Sequence, residues 1–494
     1  MNKKLRNFIL IFLFVASLVI RFYFVFQTPH FSLENSYFTQ RQVENILDTG
    51  LPLYHDSLSF SGTSHAFMPL FYYIIAFFSF FMPFALVGKF IPNIFASTIV
   101  FFSFILAKRI TKNDVASLMT AFISAFIPIY FIETLNNISP FSIVIPLILY
   151  LIYCFIEEKQ KQFIVLSFLL TLIHFSTVIV TLGFLVFLLI SKIEHFNVKR
   201  QNIEFTMFSV VLNLWLLFVF YKRAFLFHGL EIIYKNIPMD LIGQHFFHFN
   251  LIQAIYLIGI VPFIYAVKSI YEFLFRKRFF EGFLMLSLII TPVILLWFAL
   301  IEVSSGLIFL GVFMTILFSS HYESISQFLK KSKFSKLRYY KYYFVISSII
   351  IFTVSSVVPS FVLSSDQVQN SLSEQEFEAL EWINQKTPID SVILASLQEG
   401  DVISAIAGRK NVMDTNFLLV NNINLRNREY SKMFNSPYKV ETTALMDKYG
   451  VNYVYLSKRN DLKVSNNKFN GDCFELVFSN EKVEIFEVKC KLRT

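Results

Sequence analysis

Residues 282–300, GFLMLSLIITPVILLWFAL, and residues 303–320, VSSGLIFLGVFMTILFSS, decide the fold class of this chain. Neither run carries a charged residue, and only Ile301 and Glu302 separate the two. A helix needs about 20 mostly apolar residues to cross the hydrocarbon core of a bilayer. Because backbone N–H and C=O groups must pair with each other in lipid, such a run crosses as a helix. The sequence therefore predicts two membrane-spanning helices joined by a very short turn.

The composition of the whole chain agrees with this prediction. Its 494 residues are 55% hydrophobic, 18% aromatic and 16% charged, with a mean hydropathy of +0.58. A soluble domain carries roughly 25% charged residues, so the composition excludes a soluble enzyme, a disordered chain and a disulfide-rich secreted module. The three cysteines form no CxxC motif, and no HExxH pattern occurs. The chain is predicted to be a polytopic α-helical membrane protein.

Apolar runs of span length recur along the first three quarters of the chain. We divide the long run 163–190 into two short helices with a break at His174 and Ser176, because both flanks are basic. The run 66–87 contains Pro69 and Pro83 and is predicted to be re-entrant or to lie on the membrane surface. About eleven spans result: 8–27, 88–107, 115–133, 140–156, 163–174, 176–190, 204–221, 251–271, 282–300, 303–320 and 342–364.

The positions of the charged residues orient these spans. With the N-terminus inside, the predicted cytoplasmic segments hold 21 Lys and Arg residues against eight Asp and Glu residues. That excess of 13 exceeds the net charge of +9 of the whole chain, as the positive-inside rule requires of cytoplasmic loops. The basic character is therefore a sign of topology, and we expect no nucleic-acid partner. The protein is predicted to lie in the cell membrane, with a first external loop at residues 28–87 and an extracytoplasmic tail.

The tail, residues 365–494, has the sequence of a separate soluble α/β domain, which leaves residues 1–364 as the transmembrane domain. Ser373 followed by Glu376 predicts a capped helix that ends before Pro388. Short β-branched runs predict strands, and a turn at Asn480 predicts a hairpin between residues 474–478 and 483–488. This hairpin would bring together the two cysteines of the tail, so a disulfide between Cys473 and Cys490 is one possibility.

Glu34 is the sharpest candidate for chemistry in the first external loop. It stands at a helix start that Ser32 could cap, and Arg41, seven residues on, shares its helix face. A carboxylate paired with a guanidinium at the membrane surface could accept a proton and hold a phosphate. The alternative is an ordinary surface ion pair worth less than about 1 kcal/mol. His174 at the break of two short spans is a second candidate, since ionisable groups in such places are often functional.

The order of motifs in the first external loop resembles the start of the GT-C membrane glycosyltransferases. The resemblance is carried by Arg21-Phe22-Tyr23, an acid near Tyr37, the run 48–54 (DTGLPLY) and the run 65–73 (HAFMPLFYY). This class includes polyprenyl-phosphate-sugar-dependent mannosyl- and aminoarabinosyltransferases and the catalytic subunits of oligosaccharyltransferases. The resemblance implies that Glu34 acts as base or metal ligand and that the segment 66–87 is juxtamembrane.

Two further stretches extend this resemblance and also depart from it. Glu133 lies at the edge of the second external loop as a second metal ligand, but asparagine or serine stands where the class has an aspartate. In the tail, Gly400, Arg409, Asp414 and Asn416 match the outer domain of oligosaccharyltransferases, whereas its Trp-Trp-Asp motif is replaced by Ser396, Leu397 and Gln398. That motif reads the peptide acceptor, so transfer to protein asparagine is not supported. The alternative for Gly400 and Arg409 is a purely structural packing unit.

The resemblance implies an inverting transferase that moves a sugar from a polyprenyl-phosphate lipid to an acceptor on the outer face. Glu34 would be the base, and a divalent cation, Mg²⁺ or Mn²⁺, could bind at Glu34 and Glu133. The donor phosphate would lie near Arg41 and His174, with His65 and Arg21 as further contacts. The expected partners are the lipid-linked donor, membrane lipid and an acceptor. Two alternatives remain: a non-catalytic protein that binds or assembles lipid-linked glycan, and a transporter.

Overall fold

The computed structural model describes residues 2–32, 34–247, 250–275, 279–336, 339–459, 468–469 and 471–490. A helical bundle precedes a tail in which helices pack on a small sheet. The helices are α1 (Lys3–Val25), α2 (Asn35–Thr49), α3 (Leu70–Ser79), α4 (Phe84–Ser97), α5 (Ile99–Thr111), α6 (Asp114–Ser124), α7 (Pro128–Thr134), α8 (Phe141–Ile156), α9 (Gln160–Ile173), α10 (Thr177–Ile193), α11 (Arg200–His228), α12 (Met239–Ile242), α13 (Leu251–Ile258), α14 (Ile260–Phe275), α15 (Phe280–Trp297), α16 (Val303–Lys331), α17 (Tyr340–Phe352), α18 (Val358–Gln369), α19 (Glu374–Lys386), α20 (Gly400–Val402), α21 (Ile423–Asn435) and α22 (Lys439–Lys448). The strands are β1 (His55–Asp56), β2 (Thr63–Ser64), β3 (Val392–Leu394), β4 (Lys410–Asn411), β5 (Val451–Ser457), β6 (Phe474–Ser479) and β7 (Val483–Val488).

The helices of the bundle follow the predicted apolar runs. Within the described part of the chain, six helical stretches are long and apolar enough to cross a membrane. The number rises to eight if α6–α7 and α13–α14, bent by 48° and 96°, each form one broken span. The three remaining predicted spans coincide with the shorter apolar helices α8, α9 and α10. A multi-pass membrane bundle is therefore established, whereas the count of eleven spans stays a prediction.

Two regions of the predicted topology are irregular. The break at His174 is confirmed, whereas the re-entrant or surface-lying placement of residues 66–87 stays a prediction. α3 has ten residues and is about 15 Å long, only half of the roughly 30 Å that a span must cover. It is followed by α4, which begins at Phe84. The bounds of the first external loop, residues 28–87, stay a prediction. The run 163–190 breaks into α9 and α10 around His174, as expected.

Contacts between loops show that the predicted inner and outer segments lie at opposite ends of the bundle. At one end Arg109, before α6, pairs with Glu157 after α8 and with Glu281 at the start of α15. All three belong to loops predicted to be cytoplasmic. At the other end, here called the tail end, the first loop and the segment after α11 contact the tail. His228, for example, hydrogen-bonds the carbonyl of Leu418 at 2.7 Å. The contacts support a bundle whose predicted inner and outer segments lie at different ends. The assignment of one end to the cytoplasm stays a prediction.

The tail contains a five-stranded mixed sheet in the order β4-β3-β5-β7-β6. β3 runs parallel to β4 and β5, while β5, β7 and β6 are antiparallel neighbours. Ser373 and Glu376 form the predicted capping box at the start of α19, and β6 and β7 form the predicted hairpin. α18 continues to Gln369, so the predicted domain division at residues 364–365 falls within a helix and stays a prediction.

A disulfide closes the open end of this hairpin. Cys473 and Cys490 are bonded, with their Cα atoms 4.8 Å apart, which is the pairing that the sequence left as a possibility. Cys154 is buried and free. The bonded pair lies in the part of the chain predicted to be outside the cytoplasm, where disulfides persist.

Candidate functional site

The start of α2, which carries Glu34, is held in place by the loop between α7 and α8. The backbone carbonyl of Asn136 accepts from the Ser32 N–H at 3.1 Å, and the Asn136 amide donates to the Ser32 hydroxyl at 2.8 Å. The Ser36 hydroxyl donates to Asn137 Oδ1 at 2.8 Å. Ser32 therefore braces the loop and does not cap α2, whose N-cap position is Glu34 itself. The asparagines that replace the expected aspartate have a structural role here.

Glu34 stands where a carboxyl group can serve as a base near neutral pH. Burial raises the pKa of Glu34 to about 7, with Asp414 of the tail raising it further and Arg459 opposing the rise. Arg459 is itself fixed beside α2, since its Nη2 donates to the carbonyl of Ser32 at 3.2 Å. The hydrogen bond that acts on the Glu34 carboxyl comes from its own backbone, which leaves further acceptor capacity for a ligand.

Arg41 does not form the predicted pair with Glu34. Its Nη2 and Nε donate to the two carboxylate oxygens of Asp56 at 2.6 and 2.9 Å. Its Nη1 donates to the backbone carbonyl of Ser404 in the tail at 3.0 Å. Asp56 is the last residue of β1. Its bidentate hydrogen bonding explains why Arg41 pairs with it and not with a carboxylate near its own helix. Arg41 thus joins α2, the first loop and the tail.

The tip of the β1–β2 hairpin inserts into the tail. Phe60 is 3% exposed and packs in an apolar core formed mainly by residues of the tail. The guanidinium carbon of Arg426 lies 5.0 Å from the centroid of the Phe60 ring. Its N–H donates to Asn411 Oδ1 at 2.9 Å, and Ser59 donates to Asp414 Oδ2 at 2.6 Å. Phe60 adopts a left-handed φ of 51°, which costs free energy for a bulky residue. These contacts of the hairpin tip hold the first loop, and with it Glu34, against the tail.

Two aspartates of the tail line the Glu34 region from the other side. Asp414 is fully buried and accepts hydrogen bonds from Ser59, Asn411 and the backbone of Asn416. Asp401 accepts from Asn416 Nδ2 at 3.0 Å. Burial raises the pKa of Asp401 well above its usual range, and Asp414, Glu34 and Asp56 add to the rise. Asp414 and Asn416, two of the residues matched by the resemblance, therefore form a hydrogen-bonded unit with Asp401, and both aspartates are electrostatically coupled to Glu34.

Gly400 and Arg409 have structural roles in this unit. Arg409 donates to the carbonyls of Asn384 and Thr387 at 2.5 and 2.8 Å, so it satisfies the free carbonyls at the end of α19. A Cβ atom on Gly400 would touch the Met413 carbonyl oxygen and lie 2.6 Å from the Cβ of Asp414. The contacts of Gly400 and Arg409 are those of a structural packing unit, which was the alternative interpretation of these two residues.

Gly400→Ala is expected to lower the free energy of unfolding by about 1–3 kcal/mol, because the added methyl overfills a packed site bounded by backbone. The backbone conformation at this position suits alanine, so only space is at issue. Gly243→Ala is the matched control, since nothing lies within 4 Å of its added Cβ. Thermal unfolding of the purified proteins checks the prediction, and equal stability of both variants would contradict it.

His65, at the base of the hairpin, is buried beside the same acids. It is 8% exposed, and its Nε2 has no hydrogen-bond partner among the described residues. Burial lowers the pKa of His65, whereas Asp414 and Asp56 oppose this effect. The structure thus brings Glu34 and His65 to one cluster with Asp56, Asp401 and Asp414. A contact between His65 and a donor phosphate stays a prediction.

A second polar cluster surrounds His174 at the tail end. Its ring Nδ1 lies 2.8 Å from the Ser176 hydroxyl, and its charged neighbours are Lys235 and Glu302. Lys235 Nζ pairs with Glu302 Oε1 at 2.9 Å and thereby lowers the pKa of that carboxyl. Glu133 has Glu302 as its charged neighbour. His174 and Glu133 are therefore brought together around Glu302, which the sequence analysis did not name as a candidate.

Aromatic side chains connect the two clusters. Tyr72 of α3 has Asp401 and Tyr221 as electrostatic neighbours. The Tyr221 ring lies 6.4 Å from that of Phe175, over which Lys235 Nζ sits at 5.2 Å. These rings add apolar surface close to polar groups of both clusters.

Arg21 lies inside the bundle near its tail end. It is 0% exposed, and its Nη1 donates to Asn93 at 3.3 Å and to Thr134 at 3.0 Å. Its Nε and Nη2 atoms have no hydrogen-bond partner within the described ranges, and the Phe131 ring lies 4.4 Å from the guanidinium carbon. This contact set locks α1 to α4 and α7. A role for Arg21 at a donor phosphate stays a prediction.

Comparisons with solved structures show what kind of fold this arrangement is. The oligosaccharyltransferase of Archaeoglobus fulgidus superposes with a TM-score of 0.66 at 15% identity, over 90% of this chain and 69% of that one. ArnT from Cupriavidus metallidurans bound to undecaprenyl phosphate superposes with a TM-score of 0.57 at 9% identity, over 97% of both chains. Both are glycosyltransferases of the GT-C fold. The chain has the GT-C fold.

The GT-C fold is recognised by comparison of structures and not by comparison of sequences. No family model matches the chain, and no curated protein matches it significantly. A second structure of the archaeal oligosaccharyltransferase, in complex with an inhibitory peptide and a dolichol-phosphate, superposes with a TM-score of 0.65 at 14% identity over 90% of this chain and 69% of that one. The resemblance given by the sequence motifs is confirmed as to fold.

The residues of this chain do not present the metal site that the resemblance implied. Among the residues described here, no three His, Cys, Asp or Glu side chains lie close enough to hold a metal ion. Glu34 is surrounded by Arg459 and Asp414, whereas Glu133 faces Glu302. A divalent cation held by Glu34 and Glu133 stays a prediction. The archaeal enzyme has been solved in complex with Zn and sulfate.

The sequence analysis did not name five charged residues of these clusters as candidates: Asp56, Lys235, Glu302, Asp401 and Arg459. Of these, Glu302 had the clearest signal in the sequence. Glu302 is the one acid in the two-residue gap between two apolar runs, a position that holds it at a membrane surface. Lys235 and Arg459 lie in polar segments where charged residues are common. Their proximity to His174 and Glu34 follows from chain folding over long sequence separations.

Proposed function

We propose that the protein is an inverting glycosyltransferase that moves a sugar from a polyprenyl-phosphate lipid to an acceptor hydroxyl. The acceptor oxygen forms a bond to the anomeric carbon as the bond from that carbon to the phosphate oxygen breaks. The acceptor's proton passes to Glu34, and the phosphate leaves on the lipid. Since the phosphate is a good leaving group, the protein mainly positions the reactants and stabilises charge.

The observation that carries this proposal is the state of Glu34. A base works best when its pKa lies near the working pH, and burial places the pKa of Glu34 at about 7. Its carboxyl lies between the bundle and the tail, where a lipid-linked donor and a polar acceptor can both arrive. His65 and the buried Asp401 and Asp414 are further titratable groups near Glu34.

The donor phosphate is proposed to bind at the cluster around His174. Lys235 supplies a cation and His174 a ring N–H there, while Phe175 and Tyr221 provide apolar surface for the start of the lipid. The GT-C neighbours have been solved with dolichol-phosphate and with undecaprenyl phosphate. In this proposal Arg41 acts at a distance, by holding α2 and thus Glu34 in position.

Lys235→Ala is expected to raise KM for the lipid-linked donor by about 10- to 100-fold with a small change in kcat, because a charge-assisted hydrogen bond contributes about 1.5–3 kcal/mol. Lys235→Arg should restore most of the affinity. The exposed Lys222 on α11 offers a matched control in Lys222→Ala. Steady-state kinetics with varied donor check the prediction, and an unchanged donor KM in Lys235→Ala would place the phosphate elsewhere.

The proposed orientation puts the N-terminus in the cytoplasm of a cell-membrane protein and the tail outside, with the transfer on the outer face. The disulfide between Cys473 and Cys490 supports an oxidising location for the tail. The excess of basic residues at the opposite end of the bundle supports a cytoplasmic location for that end.

A second candidate function is the binding of lipid-linked glycan without transfer. It is favoured by the structural use of Asn136 and Asn137, which hold α2 where the class has an acid. Incubation of the reconstituted protein with polyprenyl-phosphate sugars and hydroxyl-bearing acceptors distinguishes the two. Release of polyprenyl phosphate that depends on both acceptor and Glu34 supports the transferase. Tight donor binding with no release over all acceptors supports the binding protein.

A further inference from the structure

A cavity of about 550 Å³ lies between the first loop, including α2, and the tail. Its volume is in the range of small-molecule sites, about 300–1,000 Å³. Its walls come from the segment after α1, from α2, from the start of α4 and from α19 of the tail. Of the described residues, thirteen line it: Pro29, His30, Phe31, Tyr37, Gln40, Phe84, Ala85, Phe377, Glu381, Asn384, Gln385, Ala405 and Ile406. None of the roles discussed above uses this cavity.

The polar part of the wall has spare hydrogen-bonding capacity. The Asn384 amide donates to the Ala407 carbonyl at 3.0 Å, which leaves its own oxygen as an acceptor. The Gln40 amide donates to Glu44 and likewise keeps its oxygen. His30 Nε2 is buried, lies 3.8 Å from Glu374 and has no hydrogen-bond partner in the described part of the chain. Burial lowers the pKa of His30, so its ring is neutral near pH 7.

The remaining wall is aromatic. Phe31, Tyr37 and Phe377 present rings to the cavity, and the His30 ring stacks on Phe377 with their centroids 4.6 Å apart. Ring faces pack well against the C–H faces of pyranose sugars, while amide and carboxylate oxygens accept from sugar hydroxyls. Among the described residues, no lysine or arginine lines the cavity, which disfavours a phosphate group as its occupant. Lys89 is a cation that acts on this wall, as a charged neighbour of His30.

We propose that this cavity binds a neutral saccharide that forms part of the acceptor. The assignment to the acceptor rests on the proposed function, whereas saccharide binding does not. Tyr37 links the cavity to the candidate base, since it lines the cavity and lies one turn from Glu34 on α2. Arg459 is a charged neighbour of both side chains. A glycan held here would present its next sugar unit toward Glu34.

Saturation-transfer NMR on the full-length protein in nanodiscs tests the proposal, with maltotetraose and mannotetraose as neutral probes and inorganic phosphate as the anionic probe. Gln385→Ala removes a polar contact, and Ala85→Trp fills the mouth of the cavity. Both positions are exposed, so the fold should tolerate the changes. We expect Gln385→Ala to weaken tetrasaccharide binding by about 2- to 10-fold, the equivalent of one hydrogen bond, and Ala85→Trp to abolish it. Lys386→Ala, beside Gln385 but outside the cavity, should bind as the wild type does.

Three results would overturn the proposal: no tetrasaccharide signal with the wild type, an undiminished signal in Ala85→Trp, or a phosphate signal that Ala85→Trp removes. Glu34→Gln separates this proposal from the proposed function, because it should retain tetrasaccharide binding while losing transfer. If the protein transfers no sugar yet binds tetrasaccharide in the cavity, the function fails and the saccharide site stands. If Gln385→Ala leaves KM for a glycan acceptor unchanged, the acceptor assignment is wrong.

Discussion

Replacing Glu34 by Gln is expected to lower the rate of sugar transfer by about 10²- to 10⁴-fold, the usual contribution of a general base. Gln keeps the size and hydrogen-bonding shape of the side chain but cannot accept the acceptor's proton. Donor binding should remain near that of the wild type, because the donor phosphate is placed at the His174 cluster. Transfer and lipid-binding measurements on the reconstituted protein check the two halves of this prediction.

The pH dependence of transfer gives an independent test of the same residue. Because burial raises the pKa of Glu34 to about 7, the carboxyl is protonated below that pH and cannot act as a base. In the wild type kcat/KM should therefore fall about tenfold for each pH unit below 7 and level off above it. A profile that shows no inflection near pH 7 would contradict the assignment.

Stability measurements separate loss of chemistry from loss of fold. A carboxyl whose pKa is higher in the folded than in the unfolded state contributes stability at low pH, and this contribution is lost as pH rises through the folded pKa. At pH 8 the ionised Glu34 is therefore unfavourable in the folded protein, and Glu34→Gln should melt at the same temperature as the wild type or higher. If Glu34→Gln is inactive but melts at a much lower temperature than the wild type, its loss of activity says nothing about the base. If Glu34→Gln transfers sugar at the wild-type rate, Glu34 is not the base.

Asp56→Ala is expected to lower the free energy of unfolding by about 3 kcal/mol, because it leaves the mostly buried guanidinium of Arg41 without its carboxylate. The Asp56 side chain is 3% exposed and that of Arg41 is 16% exposed, so solvent compensates little. Arg41 also joins α2 to the tail through Ser404. Transfer should fall together with stability, since Glu34 lies at the start of the helix that Arg41 holds.

Thermal unfolding and limited proteolysis of the tail measure this effect. Asp48→Ala is the matched control, because Asp48 lies in the same loop region but is exposed, and its loss should change stability by less than about 0.5 kcal/mol. The double variant Arg41→Met, Asp56→Leu should recover much of the lost stability, since apolar residues can replace a buried ion pair at little cost. Equal destabilisation by the single and double variants would show that the ion pair is not what holds the loop.

The sequence was sufficient for the features that depend on local pattern. Apolar runs such as 282–300 and 303–320 predict helices in lipid because the backbone has no alternative partner there. The capping box at Ser373 and Glu376 and the hairpin around Asn480 depend on neighbours within a few residues, and both formed as predicted. The position of Glu34 at a helix start and the break at His174 were equally local.

Partner choice over long distances was decided by the tertiary structure alone. Helix periodicity placed Glu34 and Arg41 on one face, yet Arg41 pairs with Asp56 because the hairpin offers a bidentate, buried carboxylate. The raised pKa of Glu34 depends on burial by the tail and on Asp414, 380 positions along the chain. Sequence patterns determine which segments enter the membrane, since transfer into lipid acts on each segment separately. The properties of the candidate base arise only when distant segments remove it from water together.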